Sequence, residues 1–364
     1  MKIIPWSKPS LDNKDKQFLN KAFNSTWISG GEYVRKLQDS FKKNTKRKYA
    51  FATSSGTTAI HLAYLSLGLK ENDEIVIPAY GYMACANIAR LMQLKIKFCD
   101  VDINSYCLSL NQIKKTVSKK TKAVVLINTY GNMSENLLIS KFLKKKKIFL
   151  IEDAAESLGS VSSNIKSGKF GDISTFSFHA TKSITTGEGG MILADNSAIA
   201  KKIRLFRSHG VDKERYKHLV HGHNFRLSNL LASIGYSQSK RIDEINKKRL
   251  NLYILYLKHL DLKKIKQQNF YNNKKIIPWT FALTLKKGLN VNKLSLFLYK
   301  NKIETRLGFF SPSRLKLYKV KKNLYSASDY LSKNIICLPF FLGLKEKEIK
   351  YICSKINYFL NSLN

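Results

Sequence analysis

Three pieces of sequence decide how this chain is read: Ile151-Glu152-Asp153-Ala154-Ala155-Glu156, Phe176-Ser177-Phe178-His179-Ala180-Thr181-Lys182, and Gly187-Glu188-Gly189-Gly190. The apolar run from Ile148 to Ile151 reads as a buried strand. A strand that ends in Asp153 sets a carboxylate at its carboxyl end, where open α/β sheets form their clefts. Lys182 follows among small, uncharged residues, an unusual neighbourhood in a chain this rich in lysine.

Working outward, strand-like runs at 49–53, 74–77, 96–99, 123–127, 148–151, 176–178 and 191–194 alternate with helical patterns at 32–43, 59–67, 82–94 and near 135–144. This alternation predicts an α/β sheet. Residues 1–30 read as an irregular lead-in ending at Trp27-Ile28-Ser29-Gly30. From 227 to about 257 the pattern is one long helix, joining a large domain (1–240) to a smaller one (241–364). The second domain is expected to hold a strand over 279–285, a helix over 291–300 and a closing helix over 344–360.

The length of 364 residues, 44% of them hydrophobic, suffices for two such cores. No apolar run reaches the length of a membrane span, and no membrane partner is expected. The five cysteines are odd in number and form no C-x-x-C pair, which suggests a reduced, cytoplasmic protein. The formal charge is +39, but the lysines are scattered along the sequence without a nucleic-acid-binding motif, so no specific nucleic-acid partner is expected. Such a field would draw in anionic, phosphate-bearing substrates.

Ser55-Gly56-Thr57 lies between a strand and a helix start. Backbone N–H groups of a first helical turn, with a glycine permitting close approach, suit a phosphate, though the same residues also make ordinary caps. Asp153, if buried, needs a cation, and a protonated pyridine nitrogen is one; a capping or salt-bridging role is the alternative. Tyr82, just past a strand, can stack on a flat ring or simply fill the core. Lys182 suits a Schiff-base nucleophile, which requires partial desolvation. His61 reads as core or interface. His179 reads as lining the site or packed. His221 and His223 lack the neighbours of a metal site, and no metal is expected.

Taken in order, Gly56-Thr57, Tyr82, Asp153-Ala154-Ala155-Glu156, Ser177, Lys182, Gly189-Gly190 and Asn224-Phe225-Arg226-Leu227-Ser228-Asn229 resemble the sugar aminotransferases of the DegT/DnrJ/StrS type. The resemblance runs from Trp27-Ile28-Ser29 to Cys337-Leu338-Pro339. It implies the aspartate-aminotransferase-like fold (fold type I), with a mixed, mainly parallel sheet and a smaller C-terminal α/β domain, and pyridoxal 5'-phosphate as cofactor. It further implies that Lys182 bonds the cofactor and shuttles protons, that Asp153 pairs with the ring nitrogen, and that Glu156 sits near the ring hydroxyl. Ser55, Gly56, Thr57 and Ser177 would hold the phosphate and Tyr82 would stack on the ring. Asn224 would reach the cofactor of a neighbouring subunit, implying a homodimer with shared sites. Trp27, Ser29, His179, Arg226, Arg306 and Arg314 are the implied substrate contacts, Arg306 being equally readable as a domain-interface salt bridge.

The run Lys182 to Met191 most resembles members that aminate C4 of a nucleotide-linked 4-keto-6-deoxy sugar with L-glutamate, such as the GDP-perosamine synthases of surface polysaccharide (O-antigen) biosynthesis. Amination at C3 and a non-catalytic, ligand-binding descendant are the alternatives. Same-fold dehydratases carry His in place of the lysine, and Lys182 argues against them. Asn128-Thr129-Tyr130-Gly131, Leu307 and Arg314 depart from the family pattern where sugar and nucleotide are expected to bind.

Overall fold

A computed structural model describes residues 2–133, 135–270, 275–285, 289–321 and 323–362. Along the chain, helices α1 (Asn13–Asn24) and α2 (Glu32–Thr45) precede strand β1 (Tyr49–Thr53). Then come α3 (Gly56–Leu67), β2 (Glu74–Pro78), α4 (Ala84–Leu91), β3 (Lys95–Cys99), α5 (Leu110–Thr116), β4 (Thr121–Ile127), α6 (Asn136–Lys146) and β5 (Phe149–Asp153). A short hairpin of β6 (Val161–Ser162) and β7 (Ile165–Lys166) leads to β8 (Ile173–Ser177), β9 (Gly190–Ala194), α7 (Ser197–Arg207), α8 (Asn229–Ser239) and α9 (Ile242–His259). The remainder holds β10 (Ile265–Gln267), β11 (Phe281–Leu285), α10 (Val291–Lys300), β12 (Arg306–Leu307), α11 (Ser326–Asn334), β13 (Ile335–Leu338) and α12 (Glu346–Asn361).

The large sheet has seven strands in the order β1-β9-β8-β5-β4-β2-β3. From β8 to β3 every pairing is parallel, and β9 runs against both its neighbours. Strand β4 shows why: its residues from Ala123 to Ile127 are all buried, the continuous apolar run of a strand covered on both faces. The smaller sheet, β10-β11-β13-β12, is antiparallel throughout. Helix α12 closes its core with Ile349, Ile352 and Ile356 while Lys347 and Lys350 stay exposed. We propose the break between the two units at Lys240-Arg241, between α8 and α9. The N-terminal segment crosses it, since Ile4 joins the smaller unit's core and its N–H donates to the Lys302 carbonyl.

Three sequence expectations give way. The lead-in is not irregular throughout, because Asp12 and Asp15 form a reciprocal capping box that starts α1. The long helix over 227–257 is two helices. Arg241 leaves helical geometry (φ −118°, ψ 25°) and its guanidinium reaches Asp15 at 2.7 Å and Asp12 at 3.3 Å. A tertiary ion pair, not a proline or glycine, makes the break. The helix expected over 82–94 is also shorter: Tyr82 and Met83 precede it, and Gln93 turns left-handed (φ 56°) after it.

Strand β5 is fixed by Glu152, whose fully buried carboxylate accepts from Asn128 Nδ2 (3.0 Å), Gly168 N (2.9 Å), Phe170 N (2.9 Å) and Ser174 Oγ (3.0 Å). Arg47, also buried, donates to Ser174 Oγ and to the Gly168 carbonyl, locking β8 beside β5. Glu152→Ala leaves these donors without an acceptor and is expected to cost about 3 kcal/mol in urea unfolding. A loss below about 1 kcal/mol would show that the clasp does not hold the strand.

Candidate active site

The carboxyl ends of β2, β5 and β8, the start of α3 and the edge of the smaller unit enclose a cavity of about 590 Å³. Ser55, Gly56, Thr57, Tyr82, Asp153, Glu156, Ser177, His179, Lys182 and Arg306 all line it.

The anion-binding corner is built locally. Ser55 caps α3: its Oγ accepts from Thr58 N and its own N–H donates to Thr58 Oγ1, each at 3.0 Å. The N–H groups of Gly56 and Thr57, in the first turn, have no intrahelical acceptor. A Cβ on Gly56 would lie 2.9 Å from the Ser177 Cβ, so only glycine lets the helix start abut the end of β8. Nearby, Thr175 Oγ1 lines the cavity, buried and without a hydrogen-bond partner.

Asp153 ends β5, as the sequence suggests. Its Oδ1 accepts from Ala155 N (3.1 Å) and its Oδ2 from the Cys85 thiol (3.5 Å), and among the described residues it makes no ion pair. Burial pushes its pKa above the ordinary aspartate value, against the pull of the Ala155 N–H, Lys182 and Cys85. Glu156 is likewise pushed up by burial, opposed by Lys182 and the Tyr130 N–H, which donates at 2.8 Å.

Lys182 Nζ lies 3.3 Å from Glu156 Oε1 and 3.9 Å from the centroid of the Trp279 ring. Trp279 is held in turn. Its indole N–H donates to the Thr181 carbonyl (2.9 Å), its ring stacks on Tyr130 (16° between planes), and Trp6 packs edge-on against it. The buried Arg249 guanidinium bonds the carbonyls of Pro278 and Trp279. Tyr82 is largely exposed at the mouth, edge-on to Phe309.

Other expected residues lie elsewhere. Asn224 and Arg226 bond each other outside the cavity (2.9 Å). Trp27 and Ser29 line shallow hollows on the lead-in segment, and Asn229 Nδ2 donates to the Trp27 carbonyl. Arg314 packs over Phe310 and bonds Ser332, within the smaller unit. Arg306 reaches the cavity but pairs with Glu304 (2.9 Å). His61 is half-buried against His223 and Phe225. Sequence reasoning missed Trp6, Cys85, Thr175 and Trp279. They arrive from separate segments, and none belongs to a motif. Among the described residues no group of side chains is suited to a metal ion, and no helix is long and apolar enough to cross a membrane.

The sequence profile of the DegT/DnrJ/EryC1/StrS aminotransferase family matches residues 9–357. A GDP-perosamine synthase of Escherichia coli O157:H7 is 33% identical over 99% of both chains. Among solved structures, Helicobacter pylori PseC, an aminotransferase involved in the biosynthesis of pseudoaminic acid, superposes with a TM-score of 0.93 at 26% identity, covering 99% of this chain and 100% of its own. An E. coli GDP-4-keto-6-deoxy-D-mannose-3-dehydratase with bound hydrated PLP superposes with a TM-score of 0.89 at 25% identity, covering 98% and 100%.

The Asp153 carboxyl, raised by burial, is destabilising once ionised. Its stabilising contribution is present below the unfolded aspartate pKa and is lost as pH rises through the folded one. Cofactor-free Asp153→Asn is therefore expected to melt a few degrees higher than the parent at neutral pH, with the gap closing in acid. A variant that melts no higher at neutral pH would contradict the unpaired carboxylate.

Proposed function

The chain belongs to the DegT/DnrJ/EryC1/StrS aminotransferase family and depends on pyridoxal 5'-phosphate, and we propose that it moves an amino group from L-glutamate to C4 of a nucleotide-linked 4-keto-6-deoxy sugar. One observation carries this reading: a lysine amine, a buried carboxylate outside any ion pair and a helix N-terminus face one cavity. The GDP-perosamine synthase relative, aligned over nearly the whole chain, supports the substrate class. A lysine at 182, where dehydratases are expected to carry histidine, favours amination over dehydration.

The residues present fit the cofactor. Asp153 would hold a protonated ring nitrogen, supplying the acceptor while the nitrogen supplies the missing cation. Gly56 and Thr57 N–H groups with Ser55 and Ser177 hydroxyls would take the phosphate. Glu156 would sit near the ring hydroxyl and Tyr82 against a ring face. When bound, pyridoxal phosphate supplies an electron-withdrawing ring and an aldehyde carbon that carries the amino nitrogen from donor to acceptor. The chain's part is to bind, orient and move protons. Lys182 Nζ would hold the cofactor and, when free, its amine would take up and release a proton over the cavity. Glu156, 3.3 Å away, keeps that amine aimed into the cavity. Asn224 and Arg226, lying outside this cavity, would serve the cavity of a second subunit in a homodimer. A cytoplasmic role in O-antigen or related polysaccharide synthesis follows from the proposed substrate.

Lys182→Ala is expected to lower amino transfer by roughly 10⁴-fold or more and to abolish borohydride trapping of the cofactor. The substrate is tested by offering GDP-, UDP- and dTDP-linked keto sugars with glutamate and reading product mass and the aminated carbon. Transfer only to C3 would overturn the C4 assignment.

Cys85 should position Asp153. Cys85→Ala removes a donor and is expected to weaken cofactor binding by about 10-fold, whereas Cys85→Ser, which keeps an O–H donor, stays within about 3-fold. Titrating cofactor into apoprotein by absorbance reads both. Equal losses would mean that Cys85 merely fills space.

A further inference from the structure

We infer that the amino-terminal edge of the large sheet is a docking face for an anionic lipid bilayer. Residues 95–147 hold twelve lysines, no arginine and three acids. Spread along the sequence, these lysines are gathered by the fold. The strand registers set Glu74 of β2 beside Lys95 and Thr121, and Ala123 of β4 beside Phe149. The starts of β2, β3, β4 and β5 therefore share one edge, and α5 and α6 end there, each running straight into the next strand. The Lys144 to Lys147 run, Lys119, Lys120 and Lys122 all lie on that edge and are exposed. Among the described residues, no lysine between 95 and 147 forms an ion pair.

Local chemistry explains only part of this charge. Lysines in a helix's last turn complement its dipole, which accounts for those ending α5 and α6. It does not account for Lys95 in β3 or for Lys119, Lys120 and Lys122 around the start of β4. The nearby acids are few: Glu71, Asp73 and Glu74, the last already accepting from the hydroxyls of Ser118 and Thr121. The segment's own acids, Asp100, Asp102 and Glu135, lie at the opposite, carboxyl edge.

The composition selects the partner. Arginine reads base edges and clamps single phosphates, and this segment has none. Lysine is a mobile point charge, attracted to a diffuse anionic surface such as a bilayer rich in acidic headgroups. The partly exposed Phe149 adds an aromatic ring of the kind that settles at a bilayer interface. Because the cavity opens at the carboxyl ends of the strands, docking by this edge leaves its mouth clear.

The test uses the full-length, cofactor-loaded enzyme and flotation with phosphatidylcholine vesicles with or without phosphatidylglycerol. The parent is expected to float only with the acidic vesicles and to be released by salt. A variant with Lys119, Lys120, Lys144, Lys145 and Lys146 all changed to Gln should lose at least about 100-fold in partitioning. A control with Lys247, Lys258, Lys263, Lys333 and Lys347 changed to Gln should retain most of it. Both variants should keep the parent's turnover, which also reports that they fold. Equal loss in the control would reduce the effect to net charge and overturn the assignment. So would failure of the parent to float, or binding to duplex DNA or to RNA that depends on these edge lysines and is tighter than binding to acidic vesicles.

Discussion

A desolvated carboxylate that its own protein leaves without an ion-pair partner is the constraint around which this molecule is arranged. Asp153 stands next to Glu152 on one strand, and successive side chains of a strand face opposite sides of the sheet. On its side Glu152 meets four donors and is fully satisfied. On the other, Asp153 has one backbone N–H and one thiol. The two acids are chemically alike, and their surroundings give them separate tasks. One holds the strand in the sheet, and the other presents a negative charge to whatever positive group enters the cavity.

The lysine facing that cavity depends on contacts between the two units. Tyr130 adopts a left-handed backbone (φ 55°), and its N–H binds Glu156, the acid beside Lys182. Gly131 follows at φ 98°, where a Cβ would lie 2.2 Å from the Ile277 carbonyl oxygen. Only glycine lets this turn press against residues 277–279, and that contact stacks Trp279 on Tyr130 and under the Lys182 amine. A shift of the smaller unit would therefore move both the aromatic face and the carboxylate that flank the amine.

What the sequence made legible was whatever periodicity or a local motif encodes. Helix α10 was expected over 291–300 and lies there, because its apolar positions and its Asn290 cap are all local. Asp153 was placed at a strand end by the apolar run before it, and the cap at Ser55 by its neighbours. What stayed hidden depends on distant partners. Helix α1 is the exception, since the capping box of Asp12 and Asp15 that starts it is itself local. The break at Arg241 needs those same aspartates, more than two hundred residues away in sequence. Trp6 and Trp279 meet at the cavity with no motif to announce either. Trp27, Ser29 and Arg314, expected from resemblance to contact substrate, take other places within this chain.

The two edges of the large sheet differ because of where its acids are used. Asp100 accepts from the Ala327 and Ser328 N–H groups at the start of α11, Asp102 from Ser105 N, and Glu135 from Leu110 N at the start of α5. Each is bound to backbone donors of a turn or a helix start, as the dipole of a helix N-terminus favours. In a parallel α/β sheet those starts gather at the carboxyl edge, together with the cavity. The acids between 95 and 147 are thus drawn to one edge by the architecture itself. The lysines, mostly at helix ends and strand starts, meet only Glu71, Asp73 and Glu74 at the other. The same topology that brings Asp153 to a cleft therefore concentrates positive charge on the far face of the molecule.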